Sequence, residues 1–391
     1  MGKEARSTFV FLAQSALLWS CVPIVYSFLP VYLDQSGFRE SQIGIFLALG
    51  PLMSIILQPF IGILVDRSPY KNTFLILLNA GTMVAILLFP LHNSLMHVAL
   101  ASFLLASFQA ALIAVSEAII LEGLDRIQKP YGPVRLAGTV GYAVVSVVAG
   151  FFMEKEIRSF FYITAITAFF SILSAWSLPK VAGHQSKARK VPATVLFKDR
   201  GLILLMAFSM VSHMGISFYQ NFFPLYFSFI GGTSDVLGIL YFISGMSELP
   251  FLLYADRIEK KLGIYKTLAL STGIIGARFV LLFFIKSPVL MYPVMLLNGL
   301  TYIVFAFSLA VHINRTVPME LRATGQTIHG MCMALGRILG SVLGGYLIEA
   351  IGLQNTLLGF ALLSLAAILV FTAAGAMLGR AYASPNEQEH Q

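Results

Sequence analysis

Long apolar stretches separated by short polar segments run along the whole chain of 391 residues. A helix needs about 20 mainly apolar residues to cross a bilayer, and windows of that length predict twelve spans. The spans lie near residues 8–33, 42–64, 73–90, 95–121, 136–153, 159–178, 202–230, 235–254, 265–285, 289–312, 324–349 and 355–378. The pattern therefore predicts an all-α integral membrane protein with twelve transmembrane helices.

The longest connection between spans, residues 179–201, predicts a division of the chain into two halves. Residues 1–178 would form an N-terminal six-helix bundle and residues 202–380 a C-terminal one, with a tail at 381–391. When the spans alternate, twenty of the 26 Lys and Arg residues fall on the side of the N-terminus and four on the other. Such a bias marks the cytoplasmic side. We therefore expect a multi-pass protein of the plasma or inner membrane, with the connection, the tail and both termini in the cytoplasm.

The composition excludes the soluble classes of protein. Apolar residues make up 58% of the chain, charged residues only 11%, and the mean hydropathy is +0.83, whereas about a quarter of a soluble domain is charged. A cytosolic enzyme, a disordered scaffold and a nucleic-acid binder are excluded despite a formal net charge of +8. The two cysteines, Cys21 and Cys332, lie in apolar stretches and indicate no disulfide framework.

The two halves carry similar segments in the same order. The matches join Phe28–Tyr32 to Phe222–Tyr226, Asp66-Arg67 to Asp256-Arg257, and Arg135-x-x-Gly138 to Arg322-x-x-Gly325, at offsets of 194, 190 and 187 residues. Duplicated six-helix halves are typical of transporters that bind substrate near the midplane, between two rocking bundles. The repeat therefore points to transport.

The loop after the second span predicts a conformational gate made by Gly62, Asp66, Arg67 and Lys71. Gly62 and Asp66 are four residues apart and share a helix face. Glycine allows a neighbouring helix to approach closely. The Asp66 carboxylate could accept hydrogen bonds from backbone N–H groups at the N-terminus of another helix, where the helix dipole favours an anion. A second copy at Asp256-Arg257 argues against an incidental loop.

The pattern Gly-x-x-x-Asp-Arg-x-x-x-Lys resembles the signature loop of the major facilitator superfamily. Pro69 and Tyr70 depart from it, since that family usually has glycine and a basic residue at these positions. The resemblance, together with the six-plus-six layout, implies the major facilitator fold with two pseudo-symmetric bundles.

Ionisable residues inside the predicted spans are candidates for substrate binding or proton coupling, because a charge at mid-bilayer costs about 2.5–3.5 kcal/mol. A carboxylate in such a dry environment can bind and release a proton near neutral pH, and an arginine that engages substrate would couple the two events. The candidates from the chain pattern are Glu117, Arg135, Tyr142, His213, Gln220, Glu248, Arg278 and His329.

Part of this set is similar to the lactose permease and its relatives. The resemblance implies that Glu117 and Arg135 hold the solute, that Tyr142 stacks on it, and that Glu248 and Arg278 couple protons. Asn298 stands where that relative has a histidine, and the local sequence there looks closer to phenylpropionate and nucleoside permeases. An opposing interpretation comes from the repeat, which equates Arg135 with Arg322 and would make Arg135 a gate residue. We favour the ligand role, because we expect Glu117 to pair with Arg135 across an aqueous cavity.

Together these observations predict a proton-coupled symporter for a small polar or aromatic solute such as a sugar, a nucleoside or an aromatic acid. The alternative is a proton-antiport exporter of amphipathic compounds. No motif for enzymatic chemistry is present, so we expect neither an enzyme nor a bound cofactor or metal. The expected partners are the solute, protons and the lipid bilayer, with no nucleic acid and a functional monomer.

Overall fold

The computed structural model describes residues 3–181, 199–317 and 321–383, and every regular element in this part is a helix. The helices of the first half are α1 (Lys3–Gln35), α2 (Glu40–Arg67), α3 (Lys71–Leu88), α4 (Leu95–Gln109), α5 (Leu112–Arg126), α6 (Gly132–Lys155) and α7 (Ser159–Ser177). A 3-10 turn at Phe89–Leu91 follows α3.

The second half has the same plan. Its helices are α8 (Arg200–Phe229), α9 (Ser234–Leu262), α10 (Ile264–Phe284), α11 (Met291–Leu296), α12 (Val304–Thr316), α13 (Arg322–Ile351) and α14 (Leu353–Ala383). A 3-10 turn at Pro288–Leu290 precedes α11, and a π-helix at Gly299–Ile303 joins it to α12.

The all-α prediction is confirmed, and each predicted span corresponds to one helix or one broken helix. In the described residues, ten stretches are long and apolar enough to cross a membrane. The other two predicted spans correspond to α9 and to the broken helix from α11 to α12. Large apolar side chains on the outside, such as Phe60, Trp176 and Leu369, are 60–67% exposed, as a lipid-facing surface requires.

Equivalent tyrosines show that the repeat extends to contacts. The Tyr32 hydroxyl in α1 donates to the Phe89 carbonyl oxygen at 3.2 Å, just after α3 ends. Its counterpart Tyr226 in α8 donates to the Leu282 carbonyl oxygen at 2.7 Å, near the end of α10. The larger packing pairs also repeat, since α1 packs on α6 and α3 on α7 in one half, and α8 on α13 and α10 on α14 in the other.

The halves meet at one end of the molecule. We call the end where α1 begins the proximal end, and the end where α1 finishes and α2 begins the distal end. Near the distal end α2 packs on α13 and α6 on α9, with Gly44 against the Ser341 backbone and Gly150 against the Ser234 backbone. Glycine lets these backbones come closer than any side chain would allow.

The buried clusters show the same asymmetry. One cluster, which includes Phe46, Met153 and Leu237, contains residues of both halves near the distal end. Near the proximal end the halves have separate clusters, one around Leu75 and one around Leu268. In this structure the distal end is closed, and the halves have separate cores at the proximal end.

Candidate functional site

The candidate site in the second half is a chain of hydrogen bonds that joins three helices. Arg278 in α10 donates through Nη1 to Oδ1 of Asn298 at 3.1 Å and to Oγ1 of Thr301 at 3.2 Å. Asn298 in turn donates through Nδ2 to Oε1 of Glu248 in α9 at 3.0 Å. The amide of Asn298 therefore connects the arginine to the carboxylate.

The break in the tenth span positions Asn298. It lies between the end of α11 and the π-helix, an irregular geometry that is frequent at functional sites. Gly299 packs against the backbone of Ser247 in α9, and its N–H donates to Oγ of Ser247 at 3.2 Å. The close approach that glycine allows brings the tenth span to α9, so that Asn298 reaches Glu248.

Arg278 is buried, with 3% of its surface exposed. The plane of its guanidinium stacks on the ring of Tyr219, with Cζ 3.8 Å from the ring centre. Among the described residues, Nε and Nη2 have no hydrogen-bond partner. Arg278 also lines a small cavity. The residues that line this cavity are Ile216, Tyr219, Gln220, Ile275, Arg278, Asn298 and Thr301.

Arg135 of the first half lies near this chain of hydrogen bonds. Its guanidinium lies over the ring of Trp19 in α1, 3.9 Å from the ring centre, and donates to Oγ1 of Thr139 at 3.3 Å. Gly138 packs directly against Trp19, which allows α6 to approach α1 here. Arg135 is within electrostatic range of Glu248 in the other half. Its side chain thus reaches the middle of α1, which favours the ligand role over the gate role.

Glu117 does not pair directly with Arg135, contrary to our expectation from the sequence. Its Oε1 accepts from the Tyr131 hydroxyl at 3.0 Å, and none of the ion pairs within the described residues includes it. Tyr131 is the residue just before α6, and it is the hydrogen-bond partner of Glu117 where an arginine was expected. Burial and the neighbouring Glu117 carboxylate raise the pKa of Tyr131, so its hydroxyl stays protonated and can donate.

Tyr142 lies where the halves touch. Its hydroxyl is 3.1 Å from Oγ of Ser27 in α1, while the hydroxyl of Tyr241 in α9 donates to the Ser27 carbonyl oxygen at 3.2 Å. Gly245 in α9 leaves room for the Tyr142 ring. Ser27, Tyr219 and Trp19 were not among the predicted site residues. The signal for Tyr219 and Trp19 would have been an aromatic residue in a span that can stack with an intramembrane arginine.

The predicted histidines form a separate buried cluster between α8 and α13. Nδ1 of His213 is 2.8 Å from the Ser209 carbonyl oxygen, and Nε2 of His329 is 3.2 Å from the Ser209 hydroxyl. Both rings are buried. Gln220, predicted on the same face as His213, is exposed and lines the Arg278 cavity instead.

The predicted gate residues of the first half lie at the proximal end, where α2 ends and α3 begins. Asp66 and Arg67 are exposed at the proximal end of α2, and a Cβ at Gly62 would meet no atom within 4 Å. Lys71 is buried and pairs with Glu122 of α5 at 3.0 Å, which also binds Arg126 at 3.0 Å.

In the second copy of the gate motif, Arg257 lies over the Tyr254 ring, with Cζ 5.3 Å from the ring centre. The side chain of Asp256 lies outside the described residues. The same is true of most of the predicted connection, residues 182–198, and of most of the tail.

Comparison with known proteins gives consistent matches over nearly the whole chain. Residues 9–358 match the MFS_1 like family. The uncharacterized transporter YwbF of Bacillus subtilis (strain 168) is 26% identical over 89% of this chain and 87% of its own length. The maltose permease of Geobacillus stearothermophilus is 24% identical over 94% of each. The putative nucleoside transporter YegT of Escherichia coli (strain K12) is 23% identical over 82% of this chain and 79% of its own length.

Solved structures show the fold. The crystal structure of the nucleoside transporter NupG superposes with a TM-score of 0.82 at 19% identity, over 95% of this chain and 99% of that one. Its D323A mutant gives a TM-score of 0.84 with the same identity and coverage. The arrangement of two six-helix bundles expected from the sequence is confirmed.

Proposed function

Since the chain belongs to the MFS_1 like family and is a membrane transporter, we propose that it couples the movement of a small organic solute to protons. The solute is polar or aromatic, such as a sugar, a nucleoside or an aromatic acid. Protein and solute would follow an alternating-access cycle, in which the two bundles rock about a central site. The relatives named as a maltose permease and a putative nucleoside transporter support a solute of this size. Nothing in these matches favours the antiport exporter.

The observation that carries the proposal is the chain from Glu248 through Asn298 to Arg278. It joins one carboxylate and one guanidinium of the second half through a neutral amide rather than through a direct ion pair. Arg135 faces them from the other half. A proton on Glu248 removes the negative charge that balances Arg278, and a solute that engages Arg278 then responds to that change. This supports proton binding and solute binding as linked events.

The closed distal end supports alternating access. A polar chain crosses the halves there, since Asn221 in α8 donates to Oγ of Ser341 at 2.9 Å, and Ser341 donates to the Gly44 carbonyl oxygen at 2.8 Å. In the opposite state these contacts separate and the proximal ends come together. We propose that the Asp66 carboxylate then accepts hydrogen bonds from the proximal end of the second half, and that Gly62 allows the two halves to approach there.

We place the protein in the cytoplasmic or inner membrane, with the proximal end and both termini in the cytoplasm. The bias of Lys and Arg supports this orientation. In that orientation the structure corresponds to a state open to the cytoplasm. We propose that the functional unit is a monomer.

Uptake into proteoliposomes tests the proposal. Purified protein is reconstituted, a pH gradient that is acidic outside is imposed, and accumulation of radiolabelled maltose, uridine and benzoate is measured. Accumulation of at least one solute should depend on the gradient. Glu248→Gln should abolish accumulation and leave solute exchange at equal pH intact, because the amide cannot release a proton.

Glu156→Gln serves as the matched control, because Glu156 is an exposed glutamate after α6. It should accumulate solute like the unchanged protein. Gradient-driven accumulation that survives Glu248→Gln unchanged would overturn the assignment of the proton site.

A further inference from the structure

One edge of the Arg278 guanidinium has no hydrogen-bond partner among the residues that the structure describes. Nη1 is occupied by Asn298 and Thr301, and one face of the plane is covered by Tyr219. Nε and Nη2 have no acceptor among the described residues, although the side chain is 97% buried. A buried guanidinium with two unused donors is costly, and such groups are retained where a ligand satisfies them.

The geometry of this edge selects the ligand. Nε–H and Nη2–H are parallel donors, which match the two oxygens of a carboxylate in a bidentate pair. Glu248, the carboxylate that Asn298 connects to Arg278, makes no direct ion pair with Arg278 within the described part of the chain. The edge is therefore available to a carboxylate from outside.

The side chains that line the cavity beside Arg278 are chemically suited to a carboxylate. Gln220, which is exposed, lines it and adds an amide, and Thr301 adds a hydroxyl. Ile216 and Ile275 form an apolar wall. A carboxylate would lie against the polar side while the adjoining carbon atoms of the solute contact the isoleucines.

We infer that the Nε–Nη2 edge of Arg278 binds a carboxylate group of the transported solute, so that the solute is an organic anion and not a neutral sugar or nucleoside. The inference rests on the proposed function for the identity of the site. Arg278 then acts as the residue that determines specificity for charge. No covalent bond is made or broken; the anion accepts hydrogen bonds from the two donors.

Glu248 sets when the anion binds. The charged and titratable side chains that face it in the described residues are Arg135 and Tyr142 from α6, and Arg278 through Asn298. With Glu248 ionised, the pair formed with Arg278 is neutral and has little attraction for an anion. With a proton on Glu248, Arg278 is uncompensated, and one carboxylate restores neutrality.

Binding of matched solutes to the purified full chain tests the inference without a gradient. The probes are acetate, gluconate, benzoate and 3-phenylpropionate, each compared with its own amide, together with maltose and uridine. Thermal stabilisation and isothermal titration report binding, because a ligand of the folded state raises its apparent stability. At least one carboxylate should bind, and its amide should bind roughly 10- to 100-fold more weakly, the loss of one or two charge-assisted hydrogen bonds.

Three variants separate the roles of the residues. Arg278→Gln should weaken the carboxylate by a similar factor and remove its advantage over the amide. Arg278→Lys keeps the charge without the parallel donors, so it should retain a preference for the anion at reduced affinity. Glu248→Gln, a neutral mimic of the protonated side chain, should bind the carboxylate at least as tightly as the unchanged protein. Retained thermal unfolding and a single peak in size exclusion show that each variant folds.

The outcomes are decisive in both directions. The inference is overturned if no carboxylate binds better than its amide, if maltose or uridine binds while the carboxylates do not, or if Arg278→Gln keeps the preference for the anion. Binding through Arg278 without proton-driven accumulation would contradict only the proposed coupling. Proton-driven accumulation of a neutral solute would contradict only the carboxylate site.

Discussion

Replacing Gly238 with alanine should open the distal end of the molecule. Gly238 lies in α9 where this helix touches α6 of the other half. A Cβ at this position would lie 2.5 Å from the Ser146 carbonyl oxygen and 3.2 Å from the Val147 Cα, whereas ordinary contact begins at 3.4 Å. The two helices would have to separate by about 0.9 Å, the difference between 3.4 Å and 2.5 Å.

The size of the effect follows from the two-state equilibrium. Overpacking of this kind costs about 1–3 kcal/mol, and the cost falls only on the state in which α6 and α9 are in contact. The equilibrium should therefore shift towards the state with an open distal end by roughly 5- to 150-fold. Gly245→Ala is the matched control on the same helix, because its Cβ would lie 3.5 Å from the Tyr142 ring, an ordinary contact.

Distances between spin labels report this equilibrium. Labels are placed at His92 in the first half and Lys286 in the second, which are both exposed near the distal end. Cys21 and Cys332 are first replaced by serine, since they are the two native cysteines. Double electron–electron resonance should show a larger long-distance population in Gly238→Ala than in the unchanged protein. Identical distributions for Gly238→Ala and Gly245→Ala would refute the assignment of the distal contact as one that separates during the cycle.

Two further predictions concern stability. Lys71→Met should lower the free energy of unfolding by about 1–3 kcal/mol, because it removes a buried ion-pair partner that is 11% exposed. Arg126→Met removes the other partner of Glu122, whose side chain is 49% exposed, and should lower the free energy of unfolding by at most about 1 kcal/mol. Equal shifts in the thermal midpoint of the two variants would contradict this reasoning from burial. Asn298→Leu should cost about 1–3 kcal/mol by leaving buried polar groups without partners, while Asn355→Leu, at an exposed amide, should leave the thermal midpoint nearly unchanged.

The tenth span contains a break that the hydropathy pattern does not predict. Hydropathy predicts a span near residues 289–312, where the structure has the broken helix from α11 to α12. The π-helix at Gly299–Ile303 was not predicted. It includes the contact of Gly299 with the Ser247 backbone of another helix, which a hydropathy window does not report. The position of Asn298 beside both Arg278 and Glu248 follows from that break.

The predicted charged residues divide in a similar way. Glu117, Glu248, Arg135 and Arg278 were recognisable because a charge in an apolar span is costly. Their partners were not, since a hydrogen bond depends on rotamers and helix crossings. Tyr131 binds Glu117 where an arginine was expected.

The sequence by itself determined the membrane setting and the two-fold repeat, and it predicted the twelve spans and the few charged residues within them. These follow from local properties, because a window of about 20 residues decides whether a segment crosses the membrane. Only the tertiary structure decided that the halves touch at the distal end, that Asn298 connects Arg278 to Glu248, and that one edge of Arg278 has no partner in the described chain. These depend on where helices far apart in the sequence cross, and glycines at the crossings set how closely their backbones approach.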